Sequence, residues 1–266
     1  MGIVQGLTEF LPISSSGHLI IVPFVLGWDD AFITSLAFSV MLHIGTLAAL
    51  LAYFRADWLR IVPAGFAAVR HGSFAGDPDR RLAWVLVAAT IPAAVAGLLF
   101  ADLIENGFRE PGLVAVTLVA GGLILWLADR LGSRTRGVED VTFPISVGIG
   151  AAQALALIPG ISRSGVSISA ARFAGLDRDA AARFSFLMAT PITAGAILFE
   201  VRRLLAGELG LQVDIVPLVV GMLSAFVAGV VAISVLLRYV RTHSLTIFVV
   251  YRFVLAGIVL VFLATR

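Results

Sequence analysis

Gly2-Ile3-Val4-Gln5-Gly6-Leu7-Thr8-Glu9-Phe10-Leu11-Pro12-Ile13-Ser14-Ser15-Ser16-Gly17-His18 opens the chain, and Gly150-Ala151-Ala152-Gln153-Ala154-Leu155-Ala156-Leu157-Ile158-Pro159-Gly160-Ile161-Ser162-Arg163-Ser164-Gly165 varies it in the second half. Sliding the first stretch along by 148 positions brings Gly2, Gln5, Leu7, Ile13, Ser14, Ser16, Gly17, Ile20, Gly27 and Asp29 onto identical residues. Each stretch would pass as one apolar segment but for a proline and a serine–glycine run in its middle. Irregular backbone survives in hydrocarbon only where it is buried in protein or lines a wet cavity. Both stretches therefore read as re-entrant helix–turn–helix hairpins, with second helices starting near Ser16-Gly17 and Ser164-Gly165. Broken helices in corresponding positions of two halves point to a midplane site between inverted repeats.

Composition supports the membrane reading. Hydrophobic residues make up 59% of the 266-residue chain and charged residues 14%, with a mean hydropathy of +1.02; a soluble domain carries about 25% charge. Apolar runs near the bilayer-spanning length of about 20 residues cover 31–54, 82–101, 112–128, 184–199, 215–237 and 245–264. The expected fold is an all-α polytopic membrane protein of about six full transmembrane helices. It forms one transmembrane domain over 1–266, with two inverted-topology repeats over about 1–135 and 141–266, each containing a re-entrant hairpin. Phe38-Ser39 and Phe184-Ser185, each opening a span, extend the repeat at an offset of 146.

Other classes are excluded. Cysteine is absent, which rules out disulfides, thiolate zinc sites and iron–sulfur clusters. All 19 basic residues are arginines scattered over short loops, so no nucleic-acid partner is expected. The first apolar segment has no basic stretch before it, so no cleavable signal peptide is expected. Arg55, Arg60, Arg70, Arg80 and Arg81 in the 55–81 connection, and Arg130, Arg134 and Arg136 in 129–140, place both on the cytoplasmic side by the positive-inside rule. The 102–111 loop, with Asp102, Glu105 and Glu110 against Arg109, falls outside.

Three groups of residues could carry chemistry. Gln5 and Glu9 are four apart and share a helix face, and an intramembrane carboxylate marks a site unless it is merely solvated at a helix end. Ser14, Ser15 and Ser16 precede His18 at a helix start; they could be simple capping residues, or hydroxyls served by an imidazole that exchanges protons near neutral pH. Arg163 costs about 2.5–3.5 kcal/mol to place at the centre of a membrane helix. It therefore needs Glu9 or an anionic ligand as partner. Its planar fork binds phosphate bidentately, Ser162, Ser164 and Ser167 add hydroxyls, and the following helix start adds backbone donors. His43 reads as a packing or supporting group. Arg172, Asp177, Arg178, Asp179 and Arg183 read as a solvated loop around Gly175, and Arg252 has no assigned role.

The stretch Gln5 to His18 and the stretch Pro159-Gly160-Ile161-Ser162-Arg163-Ser164 resemble the two signature motifs of the undecaprenyl-diphosphate phosphatase family, also called bacitracin-resistance proteins. The resemblance covers essentially the whole chain, including Phe184-Ser185-Phe186-Leu187. It implies a bacterial inner (plasma) membrane enzyme that hydrolyses undecaprenyl diphosphate to the monophosphate carrier of cell-wall synthesis, with the site opening to the outer, periplasmic side. The implied partners are the polyisoprenyl diphosphate substrate, bilayer lipid and a second copy in a homodimer, and the implied cofactor is a divalent cation, Mg2+ or Ca2+. Carried over by position, the catalytic set is Glu9, Ser15, His18 and Arg163, the substrate-binding set is Ser14, Ser16, Ser162, Arg163, Ser164 and Ser167, and the metal falls to Glu9 and Gln5. Gln5 stands where many members have glutamate, which weakens a two-carboxylate chelate, and Ser167 stands where threonine is common. Relatives usually carry extra residues before the first motif, so the resemblance implies a start upstream.

A lipid-phosphate flippase or anion transporter on the same inverted-repeat scaffold is the competing reading. Glu9 with His18 argues against it, because anion transport calls for positive charge and not for an acid–base pair. A phosphatidic-acid-type phosphatase is excluded: the chain has no lysine, and Ser169 occupies the position where that superfamily requires histidine.

Overall fold

The computed structural model describes residues 1–72, 76–100, 107–132, 135–206 and 214–265. Asp102, Glu105 and Arg134, which entered the loop-charge reading, lie outside the described residues. The chain folds as helices α1 (Gly2–Phe10), α2 (Ser15–Leu26), α3 (Leu36–Tyr53), α4 (Arg55–His71), α5 (Pro78–Leu99), α6 (Pro111–Leu131), α7 (Phe143–Ala154), α8 (Arg163–Phe173), α9 (Arg178–Leu205), α10 (Ile215–Tyr239) and α11 (Thr246–Thr265). Six of these, α3, α5, α6, α9, α10 and α11, are long and apolar enough to cross a membrane. The all-helical fold and the six spans match the sequence expectation. The 55–81 connection is itself helical over α4, closed by Gly72 in the left-handed region at φ 62°.

Both interrupted stretches are hairpins of two short helices, α1–α2 and α7–α8. Their second helices begin one residue or so earlier than expected, at Ser15 and Arg163, because Ser14 and Ser162 act as the caps. Ser14 Oγ accepts from Gly17 N and Ser162 Oγ from Gly165 N. These two serines are the non-glycine residues with positive φ among the described residues, at 76° and 77°. A conformation this strained costs of order 1–3 kcal/mol and persists only where its surroundings impose it. The same strain at equivalent positions means that both turns are built to one pattern.

Each hairpin packs on a span of the other half. α1 lies along α10, and α7 lies along α5, while α3 and α9 pack on each other at the centre and α6 on α11. Equivalent glycines allow these approaches: a Cβ at Gly2 would overlap the Gly221 carbonyl on α10, and one at Gly150 would overlap the Ala89 carbonyl on α5. Gly150→Ala is therefore expected to be overpacked by about 1–3 kcal/mol, read as a melting temperature several degrees lower in detergent.

Polar loops gather at two ends. At one, the Asp129 carboxylate accepts from Arg178 Nε at 2.6 Å, Arg178 Nη2 at 2.9 Å and Leu245 N at 3.0 Å. There Arg241 also pairs with Asp179 and Arg183 with Asp57. At the other end Arg109 donates to the Thr34 carbonyl at 3.2 Å. α3 thus runs toward the end from which α9 starts, and the two neighbours are antiparallel. The reading of Arg172 as part of a solvated loop is corrected here. Its side chain is fully buried and donates to Leu176 O at 2.5 Å and Gly132 O at 3.0 Å, because loop carbonyls and the nearby Asp129 supply the partners that water would otherwise provide.

Candidate active site

The two turns meet. Gly160 N donates to Ser14 Oγ at 3.2 Å, and Ser164 Oγ donates to Leu11 O at 3.1 Å, so each turn is hydrogen-bonded to the other. A helix start leaves its first N–H groups without intrahelical partners, and here the starts of α2 and α8 lie in neighbouring turns. Their positive dipole ends make the junction suited to an anion.

Glu9 is the hub. Its carboxylate is buried and receives hydrogen bonds from Ser15 Oγ and from Arg163 Nη2, with Gln5 Nε2 donating to Oε2 at 3.0 Å. Ser15 and Arg163 occupy equivalent positions, each the first residue of its second helix. One turn supplies a hydroxyl and the other a cation to the same carboxylate. Arg163 is further steadied by α9, where its Nη1 donates to Thr193 Oγ1 and to the Ala189 carbonyl at 3.4 Å. Its side chain remains 20% exposed, against 3% for Glu9, so a ligand can reach the guanidinium.

The other expected residues divide into two groups. Ser16, partly exposed, lies 3.3 Å from Ser14 Oγ. Ser14, Ser162, Ser164 and Ser167 are all buried, and the first three hold the turns by the bonds already described. Ser167 Oγ has no hydrogen-bond partner. His18 is not bonded to Ser15. Its Nδ1 lies 2.6 Å from the Ser14 carbonyl, which can only accept, so Nδ1 carries the proton. Nε2 then accepts from the Tyr251 hydroxyl at 2.8 Å. The imidazole that does adjoin the carboxylate is His43, with Nε2 3.4 Å from Glu9 Oε2 and Nδ1 donating to Ser39 O at 2.8 Å. Sequence reading assigned His43 to packing. A histidine within the α3 span was the available signal, but nothing in the sequence showed that α3 packs on α1.

A divalent cation can be tested against these donors. Among the described residues no three His, Cys, Asp or Glu side chains gather as a metal cage. Gln5 Oε1, however, is buried and has no hydrogen-bond partner, and it sits on the amide whose nitrogen donates to Glu9. One carboxylate and one amide oxygen suit a cation that draws its remaining ligands from phosphate oxygens and water, as Mg2+ usually does. The residues fit the group as part of a site completed by substrate.

Comparison with known proteins agrees with this geometry. The family model described as bacitracin resistance protein BacA matches residues 1–258. The undecaprenyl-diphosphatase of Desulforudis audaxviator is 46% identical over 264 residues, covering 99% of this chain and 95% of that one. That of Gemmatimonas aurantiaca is 46% identical over 266 residues, covering 100% and 97%. With the match running from the first hairpin to the last span, the chain belongs to the bacitracin resistance protein BacA family.

Proposed function

We propose that the chain is an undecaprenyl-diphosphatase, hydrolysing undecaprenyl diphosphate to undecaprenyl phosphate and inorganic phosphate, and so recycling the lipid carrier of cell-wall synthesis and conferring bacitracin resistance. The observation that carries the reading is the convergence of Arg163, Ser15 and Glu9 where two helix starts meet. In this reading the Arg163 fork leaves Glu9 for the terminal phosphate, and the first N–H groups of α2 and α8 bind its oxygens. Ser16 adds a hydroxyl on the accessible side, while Ser14, Ser162 and Ser164 keep the turns in register and Ser167 lies behind them.

Glu9, freed of Arg163, is the base. It already accepts the Ser15 hydroxyl proton, so it can take a proton from the attacking oxygen, whether that oxygen is Ser15 Oγ or a water in its place. The new P–O bond forms as the bridging P–O bond breaks, and the electron pair leaves on the lipid monophosphate. His18 holds the turn that presents Ser15, and proton exchange at its Nε2 runs through the Tyr251 hydroxyl. Gln5 and Glu9 would hold the divalent cation, Mg2+ or Ca2+, whose chemistry is to neutralise diphosphate charge.

The chain is placed in the bacterial inner membrane as two inverted repeats over about 1–135 and 141–266, with 55–81 and 129–140 cytoplasmic and the first hairpin entering from the periplasmic side. The matching strained turns and the antiparallel packing of α3 and α9 support this arrangement. A homodimer is part of the same proposal. Sidedness is tested on the cysteine-free chain. Asp29→Cys should be labelled by an impermeant thiol reagent in intact cells, and His71→Cys should be protected until the membrane is opened. The reverse pattern overturns the orientation.

The function is tested directly. Purified protein given undecaprenyl or farnesyl diphosphate with Mg2+ or Ca2+ should release inorganic phosphate. Binding of the lipid without release would favour the flippase or transporter reading instead.

A further inference from the structure

Arg252 lies in the middle of the last span and its side chain is fully buried. It faces no carboxylate in the bonds it makes. Every donor goes to a backbone carbonyl: Nε to Leu118 O at 3.0 Å, Nη1 to Pro12 O at 3.3 Å, and Nη2 to Gly160 O at 2.7 Å, Ile161 O at 2.9 Å and Thr117 O at 3.5 Å. Pro12 belongs to the first turn, and Gly160 and Ile161 to the second. One guanidinium therefore ties both breaks to each other and to the middle of α6. Carbonyls freed where a helix is interrupted in hydrocarbon must find donors inside the protein, and a planar fork with five N–H groups can serve several at fixed angles.

The surroundings are shaped for it. A Cβ at Gly121 of α6 would overlap the guanidinium and come within 2.7 Å of Ile161 O, and one at Gly165 would lie 3.0 Å from Arg252 Nη1. Thr117 closes the same region by donating to Pro159 O at 2.5 Å. The neighbouring Tyr251 bonds His18 Nε2 and stacks on its ring at 5.6 Å between centroids. Two consecutive residues of α11 thus hold the backbone of both turns and the histidine of the first.

We propose that Arg252, seconded by Tyr251, is a positioning residue for the reaction: it sets the register of the two turns, and through them the meeting of Ser15 and Glu9 with Arg163. It touches no reacting atom. A structural arginine of ordinary kind would affect how much protein folds. A positioning one affects what each folded molecule can do, since an error of about 1 Å in a reacting geometry can cost about 10²-fold in rate. The kinetic part of the proposal rests on the phosphatase reading above, whereas the register itself does not.

The test uses the full chain with Arg252→Lys, which keeps the charge but loses the fork, and Gly121→Ala, which displaces the fork from outside and covers the case in which Arg252→Lys fails to fold. Spin labels at Ile3→Cys and Phe173→Cys, both exposed positions, report the separation of the hairpins. In folded, monodisperse protein each variant should lower kcat by roughly 10²-fold with a much smaller change in KM, and should shift or broaden the label distance. A double-mutant cycle with Glu9→Ala should show strong non-additivity, because Arg252 has nothing to align once the carboxylate is gone. Unchanged kcat in folded Gly121→Ala, or an unchanged label distance in both variants, overturns the proposal. If the unmutated protein releases no phosphate, the phosphatase reading falls, and the label distance alone still decides whether Arg252 sets the register.

Discussion

Arg163→Lys is expected to lower kcat/KM for the lipid diphosphate by about 10²-fold or more while leaving the protein folded. Hydrogen bonds to charged groups contribute about 1.5–3 kcal/mol each, and a lysine can make a point contact with a phosphate but not the forked pair. The substitution keeps the charge opposite Glu9, so it avoids most of the cost of leaving a buried carboxylate alone, about 3–5 kcal/mol for a broken pair. It also removes the second anchor, since Arg163 reaches Thr193 and the Ala189 carbonyl with its other nitrogen. Phosphate release and thermal unfolding measured on the same preparation separate the two effects. Near-normal turnover would mean that the Arg163–Glu9 contact is a structural ion pair and that the diphosphate binds elsewhere.

The sequence made the spans and the breaks readable for a simple reason. In hydrocarbon an apolar run of span length has few alternatives to helix, and a proline followed by Ser-x-Ser-Gly cannot continue one. The pairing of Glu9 with Arg163 was also within reach, because each is too costly to bury alone. What stayed hidden depends on which helices touch. His43, Thr193, Tyr251 and Arg252 each sit singly on a long apolar span, with the periodicity of an ordinary lipid-embedded helix. Their roles come from the packing of α3 on α1, α9 on α8 and α11 on α2 and α6. Arg172 misled for the opposite reason. It stands in a charged, glycine-containing segment that looks solvated, yet the turn folds its carbonyls back over the side chain. His18 shows the limit of spacing arguments: three residues from Ser15, it might share a face with it, but the strained Ser14 turns the imidazole toward the Ser14 carbonyl and α11.

Glu9→Ala should abolish measurable turnover, with a loss of roughly 10²–10⁴-fold for removing a positioned base, and should still bind the lipid diphosphate. The carboxylate is the one group that both turns share, so its removal ends proton acceptance from Ser15 without taking away Arg163 or the helix-start N–H groups. Binding may even tighten, because the guanidinium no longer has an internal partner that the phosphate must displace. Glu9→Gln separates charge from shape: it retains the hydrogen-bonding outline beside Gln5 and Ser15 but cannot act as base, and it should be nearly as slow as Glu9→Ala. His18→Ala should fall less steeply and keep its response to added Mg2+ or Ca2+, since the imidazole bonds Ser14 O and Tyr251 and contacts neither Gln5 nor Glu9 in those bonds. Glu9→Ala should lose that response, because Gln5 Oε1 alone is a weak site. Phosphate release, lipid binding and cation titration on the three variants distinguish an enzyme from a carrier. A carrier would bind and move the lipid with Glu9 gone, and no chemistry would be lost. Glu9 variants that still hydrolyse at the normal rate would remove the base from this mechanism, and with it the reason for an arginine and a carboxylate to meet where two broken helices begin.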